Sequence, residues 1–230
     1  MRTSVKGLQD LEKKIGVRFR DKNLLQQALI HRSALREAQA FCNNERLEFL
    51  GDAVLELVAT QYLYHLTDRP EGELTNWRSA LVQRDNLAAV ARDLGLGEHL
   101  TMSKGEEASD GRNKDSTLAN ALEAVIGAVY LDQGMDAATV FCEKMILVRL
   151  RGLLAEGRDR DEKSRFQELA QEKLGITPHY DVITSSGPDH EKTFTCAVFV
   201  GDKKIAEGTG NSKQKAEQEA AKAALKAKKW

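Results

Sequence analysis

The sequence predicts an all-helical domain followed by a smaller α+β domain of order α-β-β-β-α. Three observations carry this. Apolar residues recur at helical spacing almost throughout residues 8–150. A short charged stretch without apolar residues, "EGRDRDEKS" at 156–164, then interrupts the pattern, as interdomain linkers do. Beyond it, three runs rich in β-branched and aromatic residues lie between two helical segments. A chain of 230 residues suits two modest domains, here 1–155 and 163–230, joined by a linker at 156–162.

In the first domain the periodicity predicts helices over 8–15, 22–32, 43–66, 73–94, 117–133 and 136–151. The longest break, "TMSKGEEASDGRNKDS" at 101–116, is polar and glycine-bearing, and is expected to be a mobile loop. In the second domain "SRFQELAQEKLG" reads as a helix. "HYDVITSSG", "KTFTCAVFVG" and "KKIAEGTG" read as strands separated by turns, and "SKQKAEQEAAKAALKAKK" as an Ala-rich closing helix.

Composition narrows the function classes. With 41% hydrophobic and 30% charged residues and only three prolines, the chain has the make-up of an ordinary soluble globular protein. The net charge of -1 gives no case for a nucleic-acid partner, so any basic surface must be local. One such run is 213–230, where six lysines stand against two glutamates. It reads equally as a solvated helix face. Cys42, Cys142 and Cys196 are odd in number and widely spaced, unlike a disulfide framework or a zinc site. No apolar run approaches the roughly 20 residues of a membrane span, and "MRTSVKGLQDLEKKIG" lacks a secretory core. The expectation is a cytoplasmic protein with neither a membrane partner nor a small-molecule cofactor.

Two helices carry a chemical signal. In "NNERLEFLGDAVLELVATQYLY" (43–64), at about 100° per residue, Glu45, Glu48 and Asp52 fall within about 60° of one another. Leu47, Leu50, Val54, Leu57 and Val58 occupy the opposite side. In "TLANALEAVIGAVYLD" (117–132), Asn120, Glu123 and Gly127 repeat the layout opposite Leu118, Leu122, Val125, Ile126 and Val129. Like charges so close repel. Nearby Arg or Lys could offset that, or the two faces could meet and hold a hard divalent cation through oxygen ligands. Phe49 lies beside the carboxylates, off the apolar stripe. It either folds over its own domain or anchors a partner.

These residues identify a family. "NERLEFLGDAVL" at 44–55 closely resembles the signature of ribonuclease III, and "LANALEAVIGAVYLD" at 118–132 resembles its second acidic segment. Residues 161–228 resemble the double-stranded-RNA-binding domain that follows the nuclease domain in bacterial members. The resemblance implies an all-α endonuclease domain plus an α+β double-stranded-RNA-binding domain. It also implies a homodimer, double-stranded RNA as substrate, and Mg²⁺ as cofactor with Mn²⁺ as a substitute. Carried over by position, Glu48, Asp52, Asn120 and Glu123 form the metal site, with Asp52 and Glu123 catalytic. Glu45 and Glu71 are auxiliary acids, and Phe49 plugs a socket in the partner subunit.

Asn120 departs from the family pattern, which commonly has aspartate there. An amide oxygen can ligate Mg²⁺ or a ligating water but brings no charge. The chain is then a natural active variant, an engineered form that traps RNA, or a natural member that binds duplex RNA and cuts weakly or not at all.

Duplex RNA is read through phosphates and 2′-hydroxyls. In the second domain the resemblance assigns this to Ser164, Gln167 and Glu168 on the first helix, to His190 in the "GPDH" loop, and to Lys213 and Lys215. These lysines open the last helix, where free amides and the helix dipole favour phosphate. Many relatives are more basic where Gln214 stands.

Overall fold

In the computed structural model of the chain, residues 5–35, 42–157, 162–188 and 192–230 are described. The helices of the first part are α1 (Val5–Ile15), α2 (Lys22–Ala28), α3 (Glu45–Leu66), α4 (Glu71–Val82), α5 (Arg84–Asp93), α6 (Leu96–His99), α7 (Lys104–Ala108), α8 (Asp115–Gln133), α9 (Met135–Met145) and α10 (Leu150–Ala155). The second part contains α11 (Glu162–Leu174), β1 (His179–Ser186), β2 (Thr193–Val200), β3 (Lys203–Gly210) and α12 (Lys213–Lys228). The chain divides into two compact units, residues 1–159 and 160–230. No helix among the described residues is long and apolar enough to cross a membrane.

Helix α8 is the axis of the first unit. Its residues Leu118, Leu122, Val125, Ile126 and Val129 are buried as their spacing predicts, and α2, α3, α5 and α9 pack around it. Helix α3 buries Leu47, Val54, Leu55 and Val58 against the same core. Leu57 departs from the stripe: it is exposed, on one side of α3 with Phe49 and Tyr64.

Four expectations need correction. The helix expected over 22–32 ends at Ala28, and the one over 136–151 is α9 and α10 with a 3-10 turn at Leu147–Arg149 between them. The helix expected over 73–94 is two helices, broken where Gln83 is extended (φ −61, ψ 147). No glycine or proline marks the corner. The buried Asn86 holds it instead, its Nδ2 donating to the Leu81 carbonyl at 2.6 Å. The segment 101–116 is ordered rather than a mobile loop: it carries α7 and a 3-10 turn at Gly111–Asn113. The Arg112 guanidinium donates to the Gly97 and Leu100 carbonyls and pairs with Glu107. Side chain to backbone bonds add to the one apolar anchor of the segment, the buried Met102.

The turn before α2 is fastened to the end of α8. Asp132 accepts the amides of Arg20 and Asp21 at 2.9 and 2.8 Å. Burial alone would raise this carboxyl, but those amides and the Gln133 side chain outweigh it and hold it below the ordinary range. Asp132→Ala is expected to cost about 1 kcal/mol at neutral pH, read as a lower Tm. Because the folded pKa is depressed, the contribution is present above the unfolded value and lost as pH falls through the folded one. The two melting curves should therefore converge in acid.

In the second unit the strands form an antiparallel sheet in the order β1-β2-β3, and α12 lies on β3 and β2. A Cβ at Gly208 would stand 2.1 Å from the Ala220 amide nitrogen, and one at Gly210 2.6 Å from that of Ala216. The "GTG" of β3 and the alanines of α12 thus allow backbone against backbone. Phe166 and Ala170 of α11 complete this core with Val198, Ala221 and Leu225.

Candidate active site

The two oxygen-bearing faces meet. Helices α3 and α8 approach most closely at Gly51 and Gly127: a Cβ on Gly51 would lie 1.7 Å from the Glu123 carbonyl oxygen, and one on Gly127 2.3 Å from that of Leu47. Neither position can carry a side chain without moving backbone. Gly51 stands between Glu48 and Asp52 in the chain, and its contact with the Glu123 carbonyl fixes the register that sets Glu48 and Asp52 beside Glu123.

The electrostatics record this proximity. Glu123 is pushed up to about 7 by burial first, then by the charges of Asp52 and Glu48, with Arg84 opposing. Glu48 is also raised, chiefly by burial, with Glu45 and Asp52 adding. The Asn120 side chain opposes that rise. Asp52 is exposed, while Glu48, Asn120 and Glu123 are half-buried.

Glu45 lines the cleft beside Glu48 and Asn120, while the other predicted residues fall elsewhere. Glu45 turns to Asn43, whose Nδ2 donates to it at 2.6 Å, and lies 3.6 Å from Arg32. Glu71 is exposed in the first turn of α4, with no ion pair or hydrogen bond to the other acids among the described residues. Phe49 is 80% exposed, which removes the reading in which it folds over its own domain. In the second unit Ser164, Gln167 and Glu168 share the exposed face of α11, opposite Phe166 and Ala170. Lys213 and Lys215 are exposed in the first turn of α12, where the Ser212 hydroxyl caps the Lys215 amide. An ion pair of 2.7 Å between Lys163 and Glu217 brings the first turns of these two helices together. His190 lies outside the described residues.

Sequence reasoning missed the rest of the cleft. A cavity of about 410 Å³ opens beside Glu48 and Asn120, and His31, Arg32, Glu106 and Lys114 line it. His31 and Arg32 sit on and beside a short 3-10 turn that has no sequence signal. Lys114 and Ser116 precede Asn120 by less than two turns at the start of α8, but the sequence pattern leaves both in the break at 101–116. Arg84 acts on Glu123 from the helix break that the periodicity did not show.

The donor set is all oxygen, which suits a hard cation. Among the described residues, no three His, Cys, Asp or Glu side chains already close around one point as a metal cage. A hard cation beside them would keep several of its waters, as Mg²⁺ does. Its charge would relieve the repulsion that raises Glu123 and Glu48.

Comparison with known proteins agrees. Residues 21–150 match the family described as Ribonuclease-III-like, and residues 162–228 the double-stranded RNA binding motif. Ribonuclease 3 of Campylobacter fetus is 41% identical over 215 residues, 93% of this chain and 95% of that one. Ribonuclease 3 of Pelotomaculum thermopropionicum is 47% identical over 219 residues, 94% of this chain and 90% of that one. A solved nuclease domain of ribonuclease III from Campylobacter jejuni, described for flexibility in a region involved in its dimer formation, superposes with a TM-score of 0.57 at 44% identity. It covers 60% of this chain and 95% of its own.

Proposed function

The chain belongs to the ribonuclease III family of endoribonucleases, and from that premise we propose a cytoplasmic, Mg²⁺-dependent homodimer that cuts both strands of double-stranded RNA. The products carry 5′-phosphate and 3′-hydroxyl ends with short 3′ overhangs, and the substrates are ribosomal precursors and other structured transcripts. The observation that carries the reading is the junction of α3 and α8 at Gly51 and Gly127, which gathers Glu48, Asp52 and Glu123. A module that only binds RNA gains nothing from carboxylates gathered against a phosphate backbone.

Glu48, Asp52 and Glu123 would hold the cation, Mg²⁺ or Mn²⁺ in its place, with Asn120 beside them. Bound there, it supplies a water of lowered pKa and neutralises charge developing on the phosphate. The protein's own part is positional. Asn120 favours the charged form of Glu48 and adds no fourth negative charge. Glu123, pushed up to about 7, must be ionised before it can act as a ligand. The exposed Phe49, Leu57 and Tyr64 on one side of α3 support the homodimer as a surface for the partner subunit.

The test is a cleavage time course on a long RNA duplex with Mg²⁺, comparing the chain with Asn120→Asp. Cleavage by both is expected, with the variant needing about tenfold less Mg²⁺ for half-maximal rate because a carboxylate replaces an amide. Duplex binding without cutting by the unaltered chain, restored to cutting by Asn120→Asp, would instead establish a binding protein silenced at this position.

A further inference from the structure

The loop between α1 and α2 is held from behind. Glu12 is only 7% exposed; its Oε1 accepts the Phe19 amide at 2.8 Å and its Oε2 accepts from Lys22 Nζ at 2.8 Å. Asp132 accepts the two following amides, and Gln133 Nε2 donates to the Arg18 carbonyl at 3.0 Å. Phe19 is buried. The loop is thereby fixed, and the acids around it are engaged with backbone or with Lys22.

What it presents outward is positive. Within "KKIGVRFR" (13–20) there are four cations and no acid, in a chain of net charge -1, and Lys13, Lys14, Arg18 and Arg20 are all exposed. Arg18 and Arg20 make no ion pair among the described residues. Lys13 meets only an exposed Asp10, at 3.5 Å. A cleft of about 420 Å³ opens beside the loop, with Lys13, Arg18 and Lys22 at its rim.

We propose that this ridge is a second phosphate-binding surface of the nuclease unit, which grips the backbone of the same RNA duplex away from the cut. The inference rests on the function proposed above. Asp132, which anchors the ridge, follows Glu123 by nine residues on α8, about 14 Å along the helix axis. A duplex engaged at Glu123 presents many phosphates within that reach. Arginines suit them because the guanidinium pairs two donors with a phosphate. A membrane surface is the poorer match. Cationic membrane-binding segments also expose apolar residues for insertion, whereas Phe19 is buried and Val17 half-buried.

The test uses the full chain without divalent metal. Binding to a duplex of about 30 base pairs is measured between about 50 and about 300 mM salt for the unaltered chain and for Arg18→Ala with Arg20→Ala. The expected result is an unchanged Tm, affinity reduced about tenfold at low salt, and a salt slope smaller by roughly 1 to 2, since each lost phosphate contact removes about 0.9. With Mg²⁺, KM should rise while kcat holds. Should the arginine variant melt early, Lys13→Ala with Lys14→Ala on the exposed face of α1 replaces it, with the same expectation. An unchanged slope and affinity overturns the ridge alone. So does a loss confined to anionic phosphatidylglycerol vesicles, or to an acidic protein partner. No duplex binding by the unaltered chain overturns the functional reading and the ridge with it.

Discussion

Glu123→Gln is expected to lower the rate of duplex RNA cleavage by about a thousandfold or more while leaving duplex binding intact. The carboxylate is both the α8 contribution to the charge cluster and its most buried member, so its loss removes the proposed ligand as well as the electrostatic stabilisation it would serve. The same substitution should have the opposite sign on stability. Burial and the neighbouring Asp52 and Glu48 raise Glu123 from its ordinary 4.5 to about 7, so the folded protein keeps a proton that the unfolded chain has released. That contribution is full below about 4.5 and is lost as pH rises through about 7. Metal-free protein should thus weaken between these values by about 2 kcal/mol, after allowing for the solvent that still reaches the group. The glutamine variant, which cannot ionise, should not. Melting curves in a chelator should coincide near pH 4.5 and separate at pH 8, with the variant higher. A variant that melts no higher at pH 8 would contradict a buried Glu123 beside two like charges.

Gly51→Ala should be the most damaging single methyl group in the first unit. The added Cβ would stand 1.7 Å from the Glu123 carbonyl oxygen and 2.8 Å from the Gly127 amide nitrogen. Both are helix backbone and cannot step aside as a side chain would. Ordinary overpacking costs about 1–3 kcal/mol; here two helices must part by an ångström or more, so a loss of about 4 kcal/mol is expected in denaturant unfolding. Protein that still folds should cut at least about a hundredfold more slowly, because that displacement separates Glu123 from Glu48 and Asp52. Gly72→Ala is the control. It lies in the first turn of α4 with open space around it, and should be neutral or stabilising by about 0.5 kcal/mol.

Helical spacing made much of this legible. The apolar stripes of α3 and α8, their oxygen-bearing faces and the α-β-β-β-α order of the second unit follow from periods of 3.6 and 2, because burial imposes those periods. Spacing says which way a residue points, not what it meets. Glu45 shares the acidic face, yet its carboxylate turns to Asn43 and Arg32. Asn120 shares the face of Glu123, and its side chain favours the charged form of Glu48, an effect that spacing does not show. The corner at Gln83 and the order of 101–116 escaped notice for a related reason. Both depend on side chains of Asn86 and Arg112 bonding to carbonyls, and such bonds leave no periodic trace. Gly127 was visible as a position of close approach. Its counterpart Gly51 was hidden inside the signature, since only the meeting of the helices reveals that both glycines serve one contact.

The junction of α3 and α8 also has a consequence during synthesis. Helix α3 ends at Leu66 and α8 begins at Asp115, so a growing chain completes the first long before the second exists. In that interval Leu47, Val54, Leu55 and Val58 have no α8 to cover them, and Glu48 and Asp52 have no third carboxylate beside them. A ribosome-bound fragment ending before Asp115 is thus expected to be sticky and catalytically silent, open to chaperones and unable to cut the RNA around it. Apolar burial and the cutting centre arrive together, in one late closure of distant segments.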